Sequence, residues 1–117
     1  MLLDRAFLGS LSDEIGADAV REAMEIFLAD APATTEALSA AFESGAVAIL
    51  RRRAHALAGA SRGIGLVALG EASYGLQKSL EAREPTREAM ESLMQLIHAT
   101  CREAAAWLAE ESPRAAA

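Results

Sequence analysis

Apolar residues recur along this chain at intervals of three and four, the period of a helix with one face turned to a core. Leu3, Phe7 and Leu11 form the first stripe and predict a short helix over residues 2–11. The polar run from Asp13 to Gly16 breaks it. Val20, Met24, Phe27, Leu28 and Ala31 predict a second helix over 17–30, and Leu38, Ala41 and Phe42 a third over 33–43. Pro32 is expected to divide these two, because proline has no N–H for a helix interior and suits a first turn. Gly45 follows as a C-terminal cap. A fourth helix over 46–61 turns Leu50, Ala54, Leu57 and Ser61 to the core, and Arg62-Gly63-Ile64-Gly65 loosens or ends it. Leu66, Leu69, Ser73, Leu76 and Leu80 predict a fifth over 66–82, closed by Pro85. Thr86 is placed to cap a long sixth helix reaching about residue 110, with Met90, Leu93, Met94, Ile97, Cys101, Ala104 and Leu108 along its stripe.

Short connections between long helices favour antiparallel neighbours. The pattern therefore predicts an all-α fold, an antiparallel up-down four-helix bundle with the short N-terminal helix capping one end. One domain is expected over 1–112. Pro113 and the terminal alanines predict a flexible tail over 113–117.

Composition narrows the class. Hydrophobic residues make up 52% of the 117, enough for a core, while aromatics are only 4%. The net charge of −6 argues against a nucleic-acid binder, which needs a basic footprint to neutralise phosphates. The single cysteine, Cys101, allows no internal disulfide and no zinc cluster. The first residues, with an acid at Asp4, do not have the form of a signal peptide, and no run approaches the length of a membrane span. A cytoplasmic, monomeric protein with no cofactor or metal of its own is expected. Within the acidic total the cations are uneven: five of the eleven lie between Arg51 and Lys78.

That basic stretch surrounds one of two histidines, His55. At about 100° per residue, His55 points roughly 130° away from the middle of its helix's core stripe. Arg51, Arg52, Ala58, Gly59 and Arg62 fall on its side. Gly59 is costly inside a helix and removes every side-chain atom one turn past the imidazole, opening room for a partner. A neutral imidazole is the nucleophilic form, and positive neighbours disfavour the imidazolium. The same arginines suit an anion such as a phosphoryl group. Facing alone also allows a plain surface histidine on a solvated basic face. The second histidine, His98, lacks the paired carboxylates of a bundle metal site and is expected to be structural. Cys101 is expected to be an inert core thiol.

The segment resembles the signature of histidine phosphotransfer (HPt) domains. His55, Leu57, Gly59, Ala60, Ser61 and Gly65 stand where that pattern has its histidine, leucine, glycine, two small residues and second glycine. Leu69 and Leu80-Glu81 fit the positions that follow, and Phe27, Pro32, Leu38 and Gly45 resemble the helices before the motif. The resemblance covers about residues 8–108. It implies a four-helix phosphocarrier of bacterial two-component phosphorelays. His55 would accept a phosphoryl group from a receiver-domain aspartyl phosphate and pass it to another response regulator. Partners would be receiver domains and a hybrid sensor histidine kinase, with Mg²⁺ supplied by the receiver. An HPt-like docking module that binds a receiver or kinase without carrying phosphate is the alternative. The family's lysine three residues after the histidine is Ala58 here. Arg62, then Arg51, Arg52 and Lys78, are the candidates to stabilise the phosphoryl group in its place. Ala58, Gly59, Phe7 and Leu11 are candidates for receiver docking.

Overall fold

A computed structural model describes residues 1–116, with the side chains of 112–116 excepted. Its described residues form five α-helices: α1 (Arg5–Ile15), α2 (Ala17–Glu43), α3 (Val47–Gly63), α4 (Val67–Ser79) and α5 (Arg87–Ala116). Helix α2 packs on α3, α3 on α4, α4 on α5, and α5 back on α2, while α1 lies against α2. The ring encloses Val20, Met24, Leu38, Leu50, Leu66 and Leu69, none of them exposed. Burying each such side chain contributes about 1.5–3 kcal/mol.

The boundaries correct the expected ones in three places. Helix α1 starts at Arg5, because Asp4 is its N-cap and accepts from the Phe7 N–H at 3.0 Å. The residues before it pair instead with the α3–α4 turn, Asp4 N–H donating to Gly65 O and Ala68 N–H to Met1 O. The helix also runs on through Asp13 to Ile15 before Gly16 turns the chain with a φ of 96°.

Second, the two helices expected on either side of Pro32 are one. Pro32 is exposed inside α2, so its ring disturbs the outer face and leaves the core face whole. The stripe Met24, Phe27, Ala31, Leu38 and Ala41 keeps its phase across it. Tertiary packing on that stripe outweighs the loss of one N–H donor.

Third, α4 ends at Ser79, before residue 82, and α5 runs past Glu110 to Ala116. The expected tail over 113–117 falls on residues whose side chains, and for Ala117 the backbone, lie outside the described residues. Thr86 does cap α5, its Oγ1 accepting from the Ala89 N–H at 3.1 Å.

Helix α3 is framed by two C-terminal motifs of one kind. After α2, Gly45 (φ 71°) lets its N–H reach Phe42 O and the Ala46 N–H reach Ala41 O. After α3, Gly65 (φ 73°) lets Gly65 N–H reach Arg62 O and Leu66 N–H reach Ser61 O. Gly65 is held to glycine twice over. A Cβ there would also stand 3.1 Å from Phe7 Cδ1 and 3.3 Å from Asp4 O. The chain thus turns sharply at Gly65 and lays α4 back along α3.

Candidate functional site: the exposed face of the α3–α4 pair

Two contacts set the register of α3 on α4. His55 Nδ1 lies 3.1 Å from Gln77 Oε1. Further along, a Cβ on buried Gly70 would come within 2.9 Å of Arg62 Cγ and 3.7 Å of Ser61 Cβ. The two helices therefore run antiparallel, with His55 beside Gln77 and Arg62 beside Gly70. Ala54, Ala58 and Ser61 on α3 and Ser73 on α4 are buried. Their small size suits this close approach. The hydroxyls of Ser61 and Ser73 have no hydrogen-bond partner among the described residues.

The amide oxygen of Gln77 faces Nδ1 and can only accept, a contact that a proton on Nδ1 satisfies. In that tautomer Nε2 carries the lone pair. His55 is exposed, and a Cβ built on exposed Gly59 would meet nothing within 4 Å. The opening expected beside the imidazole is there. Ala58 is not part of it: it is buried, only 3% exposed. Its direction lies between the core stripe and His55, and the close approach of α4 covers it. As an exposed docking position it is corrected.

The candidate cations differ in how they are held. Arg51 and Arg52, one turn before His55, are exposed and make no ion pair among the described residues. Arg62 lies over the ring of Tyr74, its guanidinium carbon 4.6 Å from the centroid. Lys78 Nζ pairs with Glu81 Oε2 at 3.2 Å. The hydrogen bond and charge of Glu81 push the Lys78 ammonium above the usual lysine range.

The apolar candidates of α1 lie elsewhere. Phe7 is 39% exposed and leans on Gly65, past the end of α3. That is more than about 12 Å along the helix axis from His55. Leu11 is half-buried against the core. Beside His55's own helix, an open groove of about 270 Å³ runs between α2 and α3, lined by Ile26, Phe27, Asp30, Arg53, Ala56 and Ala60 among others. Gln77, Gly70, Tyr74 and this groove were not picked out from the sequence. Counting outward from the turn at Gly65 would have brought the mid-seventies opposite His55, with Gln77 among the polar residues there.

The second histidine, His98, is exposed and shares a groove between α2 and α5 with Pro32 and Cys101. Cys101 is half-buried, and that burial raises its thiol above the ordinary value. No group of three His, Cys, Asp or Glu among the described residues could hold a metal ion. No helix among them is long and apolar enough to cross a membrane.

The site is thus an exposed mid-helix histidine in contact with the neighbouring helix and followed ten residues later by a turn glycine. The sequence model of the Hpt domain matches residues 22–107. The chain belongs to the Hpt domain family. Neither a curated protein nor a solved structure matches it. The match spans α2 to most of α5, with His55, Gln77 and Arg62 inside it, and leaves α1 outside. Hpt domains serve phosphotransfer in phosphorelays as carriers of the phosphoryl group and interact there with receiver domains and kinases.

Proposed function

We propose that this protein is a histidine-containing phosphotransfer protein that accepts a phosphoryl group on His55 from a receiver-domain aspartyl phosphate and passes it to another response-regulator receiver. The observation that carries this reading is the His55–Gln77 contact on an exposed face, which leaves Nε2 open. In the first step the Nε2 lone pair attacks phosphorus. The bond from phosphorus to the receiver's carboxyl oxygen breaks, and the carboxylate leaves with the bonding pair. The ring becomes an N-phosphorylated imidazolium whose Nδ1–H still donates to Gln77, so no proton moves. In the second step an aspartate of the next receiver attacks phosphorus and the electron pair of the P–N bond returns to Nε2. Positioning and electrostatics dominate such transfers, and Mg²⁺ is expected in the receiver.

The ring of contacts among α2, α3, α4 and α5 supports an antiparallel up-down bundle as the scaffold, with α1 across one end. Ion pairs from Arg5 to Glu103 and Glu110 support that seat for α1. The groove between α2 and α3 supports receiver docking there, because Ala56 and Ala60 belong to the helix that carries His55.

The test is incubation with a radiolabelled, phosphorylated receiver. Acid-labile label should move to the wild-type chain and not to His55→Ala. Absence of label with every receiver tried counts against the proposal. The buried alanine at position 58 favours a second reading, a module that docks a receiver without carrying phosphate. In that case His55→Ala keeps both partner affinity and signalling.

A further inference from the structure

A phosphoryl group on Nε2 of His55 places charged oxygens on the exposed face, where a fixed cation would stabilise both the phosphorylated histidine and the transition state leading to it. Four cations are near enough to be compared. Arg51 and Arg52 are exposed and held by no ion pair among the described residues. Lys78 is tied to Glu81, whose carboxylate would itself repel a phosphoryl group. Arg62 alone among the four is packed on an aromatic ring.

The register shows how the two stacked residues stand to His55. His55 lies beside Gln77, and Arg62 beside Gly70. One turn back along α3 from Arg62 is Ala58, and one turn on along α4 from Gly70 is Tyr74. Ala58 and Tyr74 therefore lie at one level of the pair. That backbone level is about 4.5 Å along the axis from His55, and the guanidinium is held over the ring that Tyr74 sends out from it. The Arg62 side chain leans back toward the N-terminus of α3, as helical side chains do. It can lie there only because Gly70 has no side chain: a Cβ would stand 2.9 Å from Arg62 Cγ. Stacking uses the flat face of the guanidinium and leaves its N–H edge free to donate to phosphoryl oxygens.

We propose that Arg62 is the phosphoryl-binding cation of this Hpt domain and that Tyr74 and Gly70 are its positioning residues, delivering from position 62 the charge that buried Ala58 cannot provide. This rests on the phosphocarrier reading of His55. It also makes Tyr74 and Gly70 part of the site, although neither touches the reacting atoms.

The experiment measures the rate of label transfer from a receiver charged with radiolabelled acetyl phosphate, together with the half-life of the labelled protein. Arg62→Ala should slow uptake by about tenfold or more, the loss of one charge-assisted hydrogen bond. Tyr74→Ala should slow it about two- to fivefold, the loss of an exposed cation–π contact. Tyr74→Phe keeps the ring face and should restore the rate lost in Tyr74→Ala. Both side chains are exposed, so melting temperature should not move with these rates. Wild-type uptake by Arg62→Ala would overturn the cation assignment. Wild-type uptake by Tyr74→Ala, or no recovery in Tyr74→Phe, would overturn the role of the ring. The His55→Ala control separates this from the parent reading. If the wild type takes label and His55→Ala does not, the carrier stands and the Arg62 and Tyr74 rates decide alone. If the wild type takes none, both fall.

Discussion

Gln77 Oε1 sits 3.1 Å from His55 Nδ1, across the seam between α3 and α4. In the proposed phosphotransfer, this contact would leave Nε2 as the attacking nitrogen. Gln77→Leu keeps the volume and removes the acceptor. It should lower the rate of phosphoryl uptake by about fivefold, the worth of one neutral hydrogen bond of about 1 kcal/mol. Imidazole ¹⁵N shifts of His55 should show the Nδ1–H tautomer in the wild type and a mixture in the variant. Identical tautomer populations would remove Gln77 from the account.

Position 58 makes the opposite point about space. Ala58 is 3% exposed against α4. Ala58→Lys forces a long chain and a charge into that seam. It should cost about 1–3 kcal/mol of stability, read from denaturant midpoints. It should also push α3 from α4 and disturb the Gln77 contact, so the added lysine should not speed transfer. A stable and faster Ala58→Lys would mean that the seam is wider than described.

Pro32 is a stability reserve. It stands exposed in the middle of α2, where an ordinary residue would donate its N–H to the Leu28 carbonyl. Pro32→Ala should raise stability by about 1–3 kcal/mol, measured by thermal or denaturant unfolding. Uptake on His55 should be unchanged, because Pro32 belongs to the α2–α5 side. A loss of stability would show that the ring's packing outweighs the missing bond.

The core was legible in the sequence because burial writes a period. Leu50, Leu57, Leu69, Leu93 and Ile97, assigned to core stripes from spacing, are all buried. Gly45 and Thr86 were legible because a cap is a local matter. Pro32 misled for the same reason: local propensity marks a break, but the stripe on either side stays in phase and tertiary packing carries the helix through. The site was legible to the extent that it lies on one helix. His55 and open Gly59 could be placed from angle alone. Ala58 could not, since its direction is intermediate and only the approach of α4 decides its burial. Gln77, Gly70 and Tyr74 belong to a second helix, and their places beside His55 and Arg62 appear once the register across the Gly65 turn is known.

NMR of the phosphorylated protein with ¹⁵N-labelled histidine reads the site of phosphorylation directly. Phosphorus coupled to Nε2 of His55 alone, with Nδ1 still protonated, is the predicted result. Phosphorus on Nδ1, on His98, or on neither histidine would contradict it.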